Sequence, residues 1–505
     1  MNTRPVPRVV LALLLLLAGL AGCEKDDFEQ TPAPPDELAR AGLQPNILLI
    51  SIDSLRPDHL GCYGYVRDTS PNLDRFAREG AVFLNAISSS SWTLPAHASM
   101  FTGVAASVHG CTDTDRHLHE KYLTLAERLA DAGYATVGFF SGPYLHPVFG
   151  LDQGFEQYID CTSYGALMSD TARKSGTVEG PEIWQACHAD VTNPRVLAAV
   201  RKWLADNQQQ PFFMFIHMWD VHFDFIPPPP YDKKFDPDYT GWVTGRNFFF
   251  DPRINKDMPR RDLEHLIALY DGEIAWTDEH FGLIIDELRQ RGILDSTVVI
   301  VTADHGTAFF EHGLKGHRNT LFDELLRIPL IVRYPLRVPA GLRIEQQVRM
   351  VDILPTLLSL GGLMPPRLMG QDLTPLFVGG QTDRDDPAIA ELDTFGTRLQ
   401  AFRRLDYKIL WDLSVNRGQV YDLRSDPREL HPVPNKNAPI VKQAIRDLKF
   451  CRGLIKIFRE RYPQSPRMSN MPERLLKQLK SLGYLDRPGP ATTPASAPTS
   501  APAQP

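Results

Sequence analysis

Asn46-Ile-Leu-Leu-Ile-Ser-Ile-Asp53 and Thr297-Val-Val-Ile-Val-Thr-Ala-Asp304 are the two stretches whose reading decides the fold. Each is a nearly unbroken apolar run, the pattern of a strand covered on both faces, and each ends on an aspartate. Between them lie helical patterns. Leu123 to Gly133 has apolar residues at helical spacing and a closing glycine, and a longer helix from about Asp262 to Arg291 leads into the second strand. Strands alternating with helices predict a doubly wound α/β sheet. Ligands of such sheets sit at the carboxyl ends of the strands, so position alone makes Asp53 and Asp304 functional candidates.

Outward from this centre the composition changes at both ends. Arg4 and Arg8, the apolar run Val9 to Leu17 and the small-residue end Leu20-Ala-Gly-Cys23 describe a secretory signal over residues 1–23. The apolar run is too short to span a bilayer as a mature helix. Leu-Ala-Gly-Cys resembles the bacterial lipoprotein box, which implies lipidation of Cys23, a plain signal peptide being the alternative. Glu24 in place of Asp then implies the outer membrane of a Gram-negative envelope, periplasmic or surface-exposed. Residues 24–44 are polar and proline-bearing and read as a flexible tether. The body runs over 45–379, and shorter strand-like pieces (Tyr407 to Asp412, Gln419 to Leu423) with a basic helix near 438–460 predict a smaller α+β domain over 380–486. Residues 487–505 are a Pro/Ala/Thr/Ser tail of disordered composition.

The 505 residues carry a net charge of −7, so nothing global favours nucleic acid, and any anion must be recognised locally. Apart from Cys23, five cysteines remain (Cys62, Cys111, Cys161, Cys187 and Cys451), an odd number that leaves at least one unpaired.

Four segments carry the chemistry: Asp53 to Gly64, Trp92 to Gly103, His217 to Pro230, and Thr302 to His317. Asp304-His305 beside a second strand-end aspartate is an oxygen/nitrogen set suited to a divalent cation, with a coordination position left open. Spacing alone is equally compatible with aspartates that cap turns and a histidine packed in a loop. Thr93 precedes Pro95, and proline belongs in a first helical turn. A hydroxyl there faces free backbone N–H groups at the positive end of the helix, where tetrahedral anions bind. The same pattern is also the ordinary signature of an N-cap.

"PNILLISID", "SPNLDRFAREGAVFLNA", "PAHASMFTG", "YDGEIAWTDEHFGLIIDEL", "TVVIVTADHG", "RIPLIVRYP", "DILPTLLSL" and "VYDLRSDP" follow one another between about residues 45 and 430. In content and order they resemble the sulfatases of the alkaline phosphatase superfamily. The resemblance implies an alkaline-phosphatase-like α/β sandwich, a large central sheet flanked by helices, with a smaller C-terminal α+β subdomain. It implies metal ligation by Asp53, Thr93, Asp304 and His305, the cation being Ca, Mn or Zn, and places Thr93 at the nucleophile position. His317 falls where the family often has a Lys or His on the bound anion, and His222 matches the histidine of a Pro-His-x-Pro segment. His97, His217, Asp220 and His312 complete the expected substrate-binding set, with Asp220, His222 or His317 available to a second metal.

The departures are as informative. Thr93 stands where sulfatases carry the Cys or Ser oxidised to formylglycine, and a threonine cannot give that aldehyde. His97 replaces the motif's Arg, Ser54 replaces the second Asp of the usual pair, and Phe140-Ser-Gly-Pro143 replaces Gly-Lys-x-His. The set instead resembles relatives that use threonine directly: nucleotide pyrophosphatases, phosphonate monoester hydrolases and the phosphoethanolamine and phosphoglycerol transferases. The expectation is a hydrolase of sulfate or phosphate/phosphonate esters acting through Thr93 on an anionic ester. It touches the membrane only through its anchor. A phosphoryl-group transferase and a non-catalytic anion- or glycan-binding fold are the alternatives.

Overall fold

The computed structural model describes residues 44–162, 191–207, 211–382, 384–394, 396–468, 471–482, 484 and 485. Cys23, the signal and tether up to residue 43, Cys187 and the 487–505 tail lie outside these residues. The large sheet is built from β1 (Asn46–Ile52), β2 (Ala81–Phe83), β3 (Ala135–Phe140), β4 (Gln157–Asp160), β5 (Phe212–Met218), β6 (Thr297–Ala303), β7 (Leu330–Arg333) and β8 (Leu342–Ile344). Their order across the sheet is β8-β2-β7-β6-β1-β5-β3-β4, and β7 alone runs antiparallel to its neighbours. Every residue of β5 and β6 is buried, as is β1 after Asn46. Successive side chains point to opposite faces, so both faces are covered, which is why these strands read as continuous apolar runs.

The covering helices follow local rules. The main ones are α1 (Thr93–Thr102), α2 (Leu125–Asp131), α3 (Asn193–Asp206), α4 (Arg260–Gln290) and α5 (Pro439–Arg461). α2 starts on a capping box in which Thr124 Oγ1 accepts from the Glu127 amide and Glu127 accepts from the Thr124 amide. It lies inside the expected Leu123–Gly133 span, and α4 begins and ends within two residues of its expected bounds. β9 (Ala388–Thr394), β10 (Thr397–Arg403), β11 (Tyr407–Asp412) and β12 (Arg417–Asp422) form an antiparallel meander, and α5 packs on it. This is the smaller α+β element that the shorter strand patterns and the basic helix announced. The described residues, which begin at Gln44, form one packed unit. Cys62, Cys111, Cys161 and Cys451 are free thiols. No described helix is long and apolar enough to cross a membrane.

α4 also buries an acid. Glu273 is almost fully covered, and one carboxyl oxygen accepts from the Ile226 amide at 2.7 Å. Burial, and then the nearby Asp220 carboxylate, push its pKa well above the ordinary 4.5. The folded chain therefore binds this proton more tightly than the unfolded chain, and stability falls as pH rises from about 4.5 towards the folded value. Glu273→Gln keeps the acceptor and removes the charge. Thermal unfolding followed across pH should show the variant gaining in Tm on the wild type as pH rises above that point. Parallel curves would mean that Glu273 is not held protonated.

Candidate functional site

Three adjacent parallel strands aim their carboxyl ends at one place. Ile52 pairs with Ala303 of β6 and with Met218 of β5, so Asp53 and Asp304 follow neighbouring strand ends and His217 lies in the third strand beside them. All three are fully buried. Ser54 follows Asp53 in the left-handed region at φ 58°, a strained conformation for a residue with a Cβ. That backbone turn lets the Ser54 amide donate to Asp304 Oδ1 at 3.2 Å while its hydroxyl donates to Asp53 Oδ1 at 2.7 Å. The serine that stands in place of a second acid thus ties the two carboxylates into one geometry.

His305 completes the cluster. Its Nδ1 lies 2.8 Å from the Gly306 carbonyl, so Nδ1 carries the proton and the Nε2 lone pair faces the carboxylates. Nε2 is 3.3 Å from Asp304 Oδ2 and 3.8 Å from Asp53 Oδ1. Ligand atoms of Asp53, Asp304 and His305 lie within 4.8 Å of one another. Asp304 Oδ2 is buried and accepts no hydrogen bond among the described residues. Burial, and then the charge of Asp53, push the Asp304 carboxyl upward. Burial acts the same way on Asp53, but His222, His217 and His305 outweigh it and hold that carboxyl well below the usual range. Two buried carboxylates and an imidazole lone pair, all acceptors, fit a divalent cation.

Thr93 opens α1 against this cluster. Its Oγ1 is 3.4 Å from Asp53 Oδ2 and 3.4 Å from His305 Nε2. His97, one turn on, braces the arrangement: Nδ1 donates to the Thr93 carbonyl at 2.9 Å and Nε2 accepts from Ser51 Oγ of β1 at 3.0 Å. Burial lowers its pKa to about 3, so the ring is neutral and makes both bonds. Its expected contact with substrate gives way to a contact with the chain, both ring nitrogens being taken. His217 Nε2 is 3.4 Å from Asp53 Oδ2. A Cβ on Gly142 would come within 2.9 Å of the His217 ring and 2.8 Å of Trp219, so the Phe140–Pro143 turn needs its glycine to seat that histidine.

A row of rings extends from the cluster. His317 is 4.4 Å from His305 and 4.9 Å from His222, centroid to centroid. His222 stacks on Trp219 at 3.8 Å, its Nδ1 faces the Phe223 carbonyl, and its Nε2 lies 2.5 Å from the Tyr484 hydroxyl. Arg318, buried after His317, lies over Trp92 at 4.1 Å and donates to Tyr144 Oη and Thr394 Oγ1. Ser54, Arg318 and Tyr484 were not singled out as site members by sequence. Arg318 had a signal in its adjacency to His317. Tyr484, 167 residues downstream of His317, had none.

Asp220 and His312 are turned to other partners. Asp220 accepts from the Thr192 amide and hydroxyl, the Asn193 amide and Trp276 Nε1, which uses its acceptor capacity to hold the start of α3. His312 stacks on Phe322 at 3.6 Å, with Nδ1 on Glu324 and Nε2 facing the Glu429 carbonyl. Burial disfavours its charged form, but Glu324 outweighs that and raises its pKa. The substrate-binding role expected of both residues is therefore corrected to a structural one.

Residues 45–363 match the family model described as Sulfatase, and residues 310–451 match the C-terminal domain of N-sulphoglucosamine sulphohydrolase. The chain belongs to the sulfatase family of the alkaline phosphatase superfamily, and it is an ester hydrolase of the sulfatase type. An N-acetylglucosamine-6-O-sulfatase of Bacteroides thetaiotaomicron is 23% identical over 86% of this chain and 88% of its own. The N-acetylgalactosamine-6-sulfatase of Canis lupus familiaris is 28% identical over 68% of each. Among solved structures, the phosphonate monoester hydrolase of Agrobacterium radiobacter superposes with TM-score 0.66 at 24% identity, over 83% of this chain and 96% of that one.

The Tyr484 contact generates a test. A net hydrogen bond of this kind contributes about 0.5–1.5 kcal/mol. Tyr484→Phe should therefore lower kcat by roughly 2- to 10-fold if His222 acts in turnover. Unchanged kcat in a folded variant would remove the pair from the working site.

Proposed function

We propose that the protein hydrolyses an anionic ester by way of a covalent ester on Thr93. The observation that carries this reading is the Thr93 hydroxyl, 3.4 Å from both Asp53 and His305 at the first residue of a buried helix. A divalent cation held by Asp53, Asp304 and His305 would lower the proton affinity of the Thr93 hydroxyl and offset charge on the transferred group. Thr93 Oγ1 forms its bond to phosphorus or sulfur in line as the ester oxygen leaves. His317, beside His305, hydrogen-bonds the anion, and His222, its two ring nitrogens on the Phe223 carbonyl and the Tyr484 hydroxyl, positions His317 from behind. Water then attacks the phosphorus or sulfur and frees Thr93. The relatives' names support the substrate class, a charged ester, and include both sulfatases and a phosphonate monoester hydrolase.

The nucleophile bears on which ester is cut. A hydrated formylglycine has two hydroxyls, and the second expels the sulfate taken by the first. Thr93 has one hydroxyl, so its ester is released only by external water. The phosphodiester or phosphonate ester on Thr93 and the sulfate ester on Thr93 each carry one negative charge, shared by two non-bridging oxygens on phosphorus and by three on sulfur, so each oxygen facing the cation carries more charge in the phosphorus ester. Phosphate diesters or phosphonate monoesters should therefore outpace matched sulfate monoesters in kcat/KM for nitrophenyl substrates. Thr93→Ala should abolish turnover, and Asp304→Ala should remove both turnover and stoichiometric divalent metal in elemental analysis. A sulfate preference lost in Thr93→Ala would overturn the ordering. Activity surviving that substitution would overturn the nucleophile, and full metal occupancy in Asp304→Ala the metal site.

The reading extends to location. Leu20-Ala-Gly-Cys23 behind a basic start and an apolar run supports a lipid anchor in a bacterial envelope. In a Gram-negative host, Cys23→Ser should shift the protein out of the membrane fraction, and a mature N-terminus at any other residue would refute the anchor.

A further inference from the structure

Away from the catalytic cluster, a groove of about 470 Å³ runs between α5 and the small sheet. Arg398, Arg452, Lys456 and Arg459 line it against one acid, Glu460, in a chain whose net charge is −7. Arg452, Lys456 and Arg459 stand four and three residues apart, one face of the helix, where like charges repel. The existing partners are few: Arg398 lies 3.6 Å from Asp393 and Lys456 3.9 Å from Glu460.

The inner end of the groove is built. The buried Glu391 carboxylate accepts from the Ser107 amide at 2.6 Å and from Gln400 Nε2 at 2.8 Å. Gln400 Oε1 in turn accepts from Arg452 Nε at 3.0 Å, and the guanidinium lies 5.2 Å over Trp411. Held this way, Arg452 keeps its Nη2 buried and without a hydrogen bond among the described residues, as does the Ser107 hydroxyl. Two unsatisfied polar groups on the lining of one basic groove are a cost that an anion would remove.

The groove is separate from the catalytic centre. Across β9 and β10, Glu391 pairs with Gln400 and Asp393 with Arg398, so these side chains share one face of the meander. Thr394 points to the other face, where it accepts from Arg318 beside His317.

We propose that this groove is a second anion site that takes an extended sulfated glycan. One anionic group would sit on Arg452 and Ser107, and others on Lys456 and Arg459. Arg452 and Arg459 are about 10 Å apart along the helix axis, too far for one tetrahedral ion and within reach of a polyanion. Single-stranded nucleic acid is held on exposed aromatic platforms, whereas Trp411 at the inner end lies under the Arg452 guanidinium and no described lining residue is aromatic. The proposal is independent of which residue is the nucleophile.

The test is calorimetric titration of the full chain at low salt with a heparin hexasaccharide, a neutral dextran of the same length and a single-stranded oligonucleotide. The hexasaccharide should bind and the dextran should not. Arg452→Glu combined with Arg459→Glu should weaken the binding at least tenfold and flatten its salt dependence. Hydrolysis of a small nitrophenyl ester should stay unchanged, which also shows that the variant is folded. Arg452→Lys combined with Arg459→Lys should retain most of the binding. No hexasaccharide binding by the wild type, or binding that the Glu/Glu variant leaves intact, would overturn the site. Tighter binding of the oligonucleotide than of the hexasaccharide would overturn the glycan.

Discussion

Two carboxylates that repel each other are held together at the centre of this protein, and most of the neighbouring geometry answers to that repulsion. Asp53 and Asp304 sit at the ends of β1 and β6, whose register fixes their separation before any side chain chooses a rotamer. Both are fully buried, so water does not screen the pair. Hydrogen bonds from Ser54 offset part of the repulsion, and they exist only because Ser54 accepts a left-handed backbone. The Gly306 carbonyl turns the His305 lone pair inward, adding a third acceptor where a donor would have relieved the pair. An arrangement that collects acceptors in this way is stable when a cation shares the space.

Around that core the chain uses neutral groups as braces. His97 joins α1 to β1 through two hydrogen bonds and stays uncharged because it is buried. In consequence Thr93 is fixed from behind, by its own carbonyl, and its hydroxyl is left facing Asp53 and His305. A cationic arginine at position 97 would compete for those same carboxylates. His97, Ser54 and Thr93 are uncharged, so the charge of the site is concentrated in Asp53 and Asp304.

The small antiparallel sheet serves two faces at once. On one, Thr394 steadies Arg318 behind the histidine row. On the other, Glu391 and Gln400 order Arg452 at the head of a basic groove. Because neighbouring residues of a strand point opposite ways, a single hairpin links the two places without either needing residues of its own.

The α/β class, the strand-end aspartates and the helix beginning near Thr93 were legible in the sequence, since apolar continuity and Pro95 are local signals of burial and of a first turn. The partition among histidines was not. His97, His217, His222, His312 and His317 look alike in a row of letters, and only packing shows that His97 is a brace and that His312 is held between Glu324 and the Glu429 carbonyl. Asp220 shares its segment with His222, yet its oxygens belong to the start of α3, a contact set by the amides of Thr192 and Asn193. Tyr484 reaches His222 across 262 residues, a separation that no spacing rule spans. Sequence determined which chemistry was available, because side-chain type and local periodicity are properties of the chain. Tertiary structure decided which groups use it, because the occupancy of each donor and acceptor depends on neighbours that only folding supplies.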